Sequence, residues 1–277
     1  MAEVLAIVDV TTATDIEWDR EFDSSRSSTF FQSRAWAEAW REHEPGRWSL
    51  KPMSVRFSDG AHAIVPLSSV RTRIGTRVCH SSPAATFGGW LSREALTPTH
   101  GGLLAQYLAS SCGDLVWRLS PYDPSQQGLD IGETEPDYTH AVELESDFDV
   151  VERRWSKGHR SAARKSIRSE LDFREADSLE DWRRYFGVYQ VSLERWGESV
   201  SSRYDWSLFE AIRDHAGSHA RLWLAELDGD VVAGALCFYA AAHVAYWHGA
   251  STRTAAALSP TNGLLRRIIE DACAEGH

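Results

Sequence analysis

The sequence predicts an α/β fold of mixed sheets and helices, built as two tandem copies of one domain, on three observations. The first is a repeated hairpin. Ser54–Gly60 runs into Ala61–Leu67, and Leu222–Gly229 runs into Asp230–Leu236. Each reads as apolar strand, Asp-Gly turn, apolar strand, because Asp-Gly tolerates the positive φ of a tight turn. The second is a matching helix start after each copy, Pro98-Thr99-His100-Gly101-Gly102-Leu103-Leu104 and Pro260-Thr261-Asn262-Gly263-Leu264-Leu265. The third is length: 277 residues fit two domains of about 100–150 each, and the repeat exceeds a solenoid unit of roughly 20–50 residues. The expected domains are residues 1–136 and 137–277, with a cleft between them for a ligand.

In chain order, Leu5–Val10 predicts a short strand and Asp15–Phe22 a short helix. Ser33 caps a helix carrying Trp36 and Trp40, four apart and so on one face. The first hairpin pairs Met53–Phe57 with Ala61–Val70. Ser81–Trp90, rich in small residues, reads as a connector or as a substrate loop. A helix over Thr99–Ser111 ends at Gly113, Asp114–Leu119 is a strand, and Pro121 to Pro136 crosses between the halves.

The second half opens with a strand over Thr139–Leu144 and a helix from about Phe148. Leu171–Arg174 is a strand, Leu179–Trp196 a long amphipathic helix and Trp206–His215 another helix. The second hairpin and a strand over Val244–His248 follow. The last helix has Ser259 as N-cap, Pro260 at its first position and Gly276 past its end. The first copy continues after its helix into Asp114–Leu119, whereas the second reaches His277. The repeat therefore predicts a further strand beyond His277, absent through truncation.

Composition narrows the function. A net charge of −11 argues against a protein that coats DNA or RNA, although it leaves room for a local basic surface. Twelve Trp fit packed cores and a domain interface, or a groove for an extended substrate. Cys79, Cys112, Cys237 and Cys273 lie far apart in apolar segments, without metal or disulfide spacing, and read as thiols of a reducing cytoplasm. The N-terminus Met1-Ala2-Glu3-Val4-Leu5 has no basic leader and no apolar run approaches the ~18 residues of a span, so a soluble cytoplasmic protein is expected. Hydrolase, kinase and dehydrogenase readings have no supporting motif.

Three segments carry candidate chemistry. Arg153–Arg168 contains no acid. At 3.6 residues per turn Arg153, Lys157, Arg160, Arg164 and Arg168 fall on one stripe, and a bound polyanion would relieve their repulsion; a solvated basic face is the other reading. At Ser259-Pro260-Thr261-Asn262-Gly263 the free N–H groups of a helix start, with Asn262 and Gly263, suit a phosphate, although Ser259 is also explained as a cap. On Val244–Gly249, alternation places Tyr246 and His248 on one face, as an acid/base pair or as core residues.

With these segments in view, the chain resembles the Fem-type branch of the GNAT acyltransferase superfamily. The likeness rests on Phe30-Phe31-Gln32-Ser33 with Trp36 and Trp40, on the basic helix Lys157–Arg168, on Arg221–Leu236 with its Asp-Gly turn, and on Ser259–Gly276. It implies two GNAT-like domains and transfer of an acyl or aminoacyl group, from acyl-CoA or aminoacyl-tRNA as co-substrate, to a primary amine on a small molecule or cell-wall precursor. No tightly bound cofactor or metal is implied. Tyr246 and His248 would assist proton transfer, and Lys157, Arg160, Arg164, Arg168, Asn262 and Gly263 would contact donor phosphates or tRNA. The loop before the last helix is not the Gly-rich pyrophosphate loop of simple acetyltransferases. A non-catalytic GNAT-like protein that holds a phosphorylated ligand or nucleic acid is the alternative.

Overall fold

Short polar side chains set the helix starts. Thr14 forms a capping box with Glu17 at α1 (Asp15–Ser24), and Ser33 Oγ accepts from the Trp36 N–H at α2 (Arg34–His43). Ser156 does the same for α5 (Lys157–Ile167), and Ser178 for α6 (Leu179–Trp196). Helices α3 (Pro98–Ser111) and α8 (Pro260–Glu275) instead begin with proline, whose missing N–H costs nothing there. Two more helices, α4 (Phe148–Arg154) and α7 (Trp206–Ala216), complete the set of eight α-helices among the described residues. The computed structural model describes residues 4–127, 129, 134–197 and 202–277. The first three residues of the N-terminus, and residues 128 and 130–133 of the Pro121 to Pro136 crossing, lie outside them.

The chain divides into two compact units, Met1–Tyr138 with Glu210–Gly217, and Thr139–Phe209 with Ser218–His277. The first holds two sheets. One has the order β1-β3-β4 and is antiparallel, from Ile7–Thr12, Met53–Phe57 and His62–Val65. The other has the order β2-β5-β6-β7, from Trp48–Leu50, Ser68–Arg71, Arg77–His80 and Asp114–Val116, with β7 parallel to β6. The expected single strand Ala61–Val70 is therefore two strands in different sheets. Pro66 has no N–H for a ladder, and the chain changes sheet there. Val55, Phe57, Ala63, Val65, Trp90, Leu104 and Leu108 form the core beneath.

In the second unit, β8 (Asp172–Glu175), β9 (Ala220–Leu227), β10 (Asp230–Ala240) and β11 (His243–Ser251) form one antiparallel sheet ordered β11-β10-β9-β8. Leu264 and Ile268 of α8 bury against Ala233, Ala235, Cys237 and Tyr239 of β10. Thr139–Leu144 is not the strand that its composition suggests. It runs as irregular chain with Val142 exposed, because β-propensity acts only where a partner strand and a face to bury exist.

The two repeated turns differ. Asp228 and Gly229 both have positive φ, 52° and 83°, a primed two-residue turn. In the first copy only Gly60 has positive φ, 91°; Asp59 instead uses its carboxylate, accepting from the Ala61 N–H and from His100 Nε2 at 3.0 Å.

Candidate functional site

The Ser81–Trp90 segment is a connector held by two buried amides. Gln32 Nε2 donates to the carbonyls of Gly88 and Trp90, and Gln126 Nε2 donates to Trp90 O. Gln32 of the Phe-Phe-Gln-Ser segment is thus structural. Trp36, Trp40 and Trp48 are buried in an aromatic row with centroids 5.8 and 5.9 Å apart, the first pair edge-on and the second tilted.

The basic stretch does not form one helix. Trp155 is extended (φ −68°, ψ 151°), so α4 stops at Arg154 and α5 restarts after Ser156. Arg153 is therefore off the expected stripe. Nor is the stretch unbalanced, because the acid lies one residue before it. Glu152, almost wholly buried, takes Arg164 and Arg266 together, with Nε distances of 3.2 Å to each. The hydrogen bonds from Arg164, then those from Arg266, hold the Glu152 carboxyl below the usual carboxylate range. Arg164 is consequently held in an ion pair by Glu152, with its side chain 54% exposed. Lys157, Arg160 and Arg168 make no ion pair among the described residues; Arg160 and Arg168 donate only to the backbone carbonyls of Arg153 and Arg164.

Helices α5 and α8 meet at their N-termini. His159, third in α5, contacts Asn262, third in α8, at 3.5 Å. Two positive helix ends thus converge beside the exposed Lys157 and the half-buried Arg160, a field that attracts anions. Ser259 does not cap α8 with its side chain as expected. It sits at φ 56°, ψ 49°, and its carbonyl accepts from the N–H groups of Asn262 and Gly263. Gly263 has a packing role: a Cβ there would run into Phe173 and lie 2.5 Å from Ser166 Oγ of α5. Its repeat counterpart Gly101 is also too close for a side chain, with Trp90 Cη2 2.8 Å from where a Cβ would sit. The repeated glycine therefore sits where each helix packs too closely for a Cβ.

Tyr246 and His248 do not share a face. Cys237 pairs with Tyr246 but Leu236 with His248, so Trp247 is an extra residue in a β-bulge, and the bulge reverses the alternation. His248 is buried at 9% exposure, edge-on to Tyr189 at 4.4 Å and to Phe209 at 5.1 Å. Its Nδ1 lies 2.6 Å from Tyr185 Oη. Burial pulls the His248 pKa down to about 4 and holds the Tyr185 phenol well above its ordinary value, so both are neutral near pH 7. The Tyr185 O–H then donates to Nδ1, which leaves the imidazole proton on Nε2 and satisfies the buried phenol. Tyr246 keeps 47% of its surface exposed, while its hydroxyl tucks against Gly249 at the bulge; burial, then the neighbouring Cys237, pushes its pKa up to about 12. Sequence reasoning missed Tyr185 and Tyr189; their spacing of four on α6 places them on one face and was the available signal.

The second unit is thus a four-stranded antiparallel sheet with a bulged last strand, followed by the helix α8. Residues 153–277 match the family model described as acetyltransferase (GNAT) domain. The chain as a whole is similar to the crystal structure of FemX, with 15% identity over 97% of this chain and 87% of that one, and a TM-score of 0.72. It is also similar to the C-terminal domain of a protein assigned as a lysylphosphatidylglycerol synthetase from Agrobacterium fabrum, with 14% identity over 95% and 77% of the two chains and a TM-score of 0.53. At such identities the likeness is one of fold, and it agrees with the Fem-type GNAT resemblance in the sequence. No curated protein matches the chain. No helix among the described residues is long and apolar enough to cross a membrane.

Proposed function

We propose that the chain is an N-acyltransferase that moves an acyl or aminoacyl group from acyl-CoA or aminoacyl-tRNA to a primary amine, on a small molecule or a cell-wall precursor. The observation that carries this reading is the convergence of the α5 and α8 N-termini at His159 and Asn262, inside the segment that matches the acetyltransferase (GNAT) family model. Both donors are phosphate-bearing, and Lys157 and Arg160 with the two helix ends would hold their phosphates, while Arg168 lies at the other end of α5. The amine attacks the activated carbonyl carbon, a C–N bond forms, and the C–S or C–O bond breaks. The amine loses a proton as the leaving group gains one. Positioning supplies most of the acceleration. Tyr246, raised in pKa and so still carrying its proton, would donate to the leaving sulfur or oxygen. His248, neutral and bonded to Tyr185, would support the bulge rather than act as a base.

Calorimetric titration with acetyl-CoA and, separately, with charged tRNA at two salt concentrations tests the reading, followed by transfer to an amine panel. Binding of either donor, weakened and made less salt-dependent by Lys157→Ala with Arg160→Ala, is expected. Binding of a donor without transfer to any amine would favour the non-catalytic alternative, and binding of neither would overturn the proposal.

A further inference from the structure

The hairpin between β5 and β6 carries a different kind of surface, one that the transfer reading leaves unused. Its segment is Val70-Arg71-Thr72-Arg73-Ile74-Gly75-Thr76-Arg77. The tip is a defined turn: the Thr72 N–H donates to Thr76 O at 2.8 Å, the two threonine hydroxyls lie 2.8 Å apart, and the Gly75 N–H donates to Thr72 O with Gly75 at φ 88°. This turn lifts Ile74 outward until 87% of it is exposed, the most exposed isoleucine among the described residues. A β-branched aliphatic side chain at the tip of an ordered turn buries nothing within its own unit.

Around that tip four arginines gather. Arg71 and Arg77 stand directly opposite each other on antiparallel strands, an arrangement that destabilises a sheet. Among the described residues no ion pair engages Arg71, Arg73 or Arg77; Arg77 donates to Ser49 Oγ at 3.0 Å. Arg47, whose carbonyl accepts from the Arg71 N–H, joins them with its own partner Glu44. Gly46, Arg47, Arg71, Thr72 and Arg73 line an open recess of about 370 Å³, large enough for a phosphate group.

We propose that the β5–β6 hairpin docks the protein on an anionic phospholipid surface, with Ile74 entering the acyl boundary and Arg71, Arg73, Arg77 and Arg47 binding headgroup phosphates. An apolar tip ringed by arginines matches the layering of a membrane interface, apolar inside and anionic above. A nucleic-acid strand would use aromatic faces to stack its bases, and Ile74 has none. The net charge of −11 repels the protein from such a membrane, so attachment depends on this patch.

The test is sedimentation of the full chain with vesicles of phosphatidylglycerol and phosphatidylcholine in equal parts, with pure phosphatidylcholine vesicles, and with a polyuridylate RNA as soluble polyanion. The expected result is sedimentation with the anionic vesicles alone, weakened at least about tenfold by Ile74→Asp and about fivefold by each of Arg71→Ala and Arg73→Ala, with circular dichroism of each variant unchanged. Equal binding to neutral vesicles, no binding to either, or Ile74→Asp binding as well as the parent would overturn the proposal. So would tight RNA binding that Ile74→Asp leaves intact, which would make the patch a nucleic-acid site. None of these results bears on donor binding by the second unit.

Discussion

The phenol of Tyr185 donates its proton to Nδ1 of His248 across 2.6 Å, with both side chains buried. An imidazole in that position is a core hydrogen-bond acceptor, and its cost appears on acidification. In the folded chain His248 binds a proton only near pH 4, against 6.5 when unfolded. Between those values the unfolded state holds more protons, so stability rises with pH through the window and falls as pH drops. The expected loss is about 3 kcal/mol from pH 6.5 to pH 4. Urea unfolding at half-unit steps measures it, and His248→Gln, without a titratable ring, should flatten the slope above pH 4.5. An unchanged slope would remove the buried neutral histidine from the account.

Glu152 and Arg160 separate structure from binding within the basic segment. Glu152→Gln leaves two guanidinium groups without their shared buried anion and should cost about 2–3 kcal/mol in urea unfolding. Arg160→Ala should leave the urea midpoint in place and weaken donor binding. If the two variants exchange these phenotypes, the assignment of Glu152 as structural and Arg160 as ligand is reversed.

Gly263→Ala and Gly187→Ala should move stability in opposite directions. At Gly263 the added methyl meets Phe173 and Ser166, and overpacking of about 1–3 kcal/mol outweighs the propensity gain. At Gly187, inside α6, the methyl meets nothing within 4 Å and should stabilise by up to about 1 kcal/mol. Thermal denaturation of both gives the comparison; stabilisation by Gly263→Ala would refute the close-packing role.

Tyr246→Phe keeps the ring on β11 and removes the hydroxyl at the bulge. Turnover with a saturating donor should fall about 10²-fold with donor affinity unchanged. Full turnover would mean that the leaving group takes its proton from water.

Local signals were legible in the sequence wherever a single segment decides its own conformation. Ser33 before Trp36 and Trp40 gave α2, Asp228-Gly229 gave the second hairpin, and the period of α6 gave both its ends, since caps, turns and periodicity involve neighbours a few residues apart. The matching helix starts were legible too, and in them Gly101 and Gly263 sit where a Cβ would collide with neighbours. Tertiary structure decided what depends on distant partners. Pro66 moved a strand to another sheet, and Thr139–Leu144 found no partner to ladder with. Glu152 reached Arg164 and Arg266, twelve and 114 residues away, and so emptied part of the basic stripe. The extra residue Trp247 turned Tyr246 and His248 to opposite faces, and a bulge is set by the register of β10 against β11, which no pattern within β11 records.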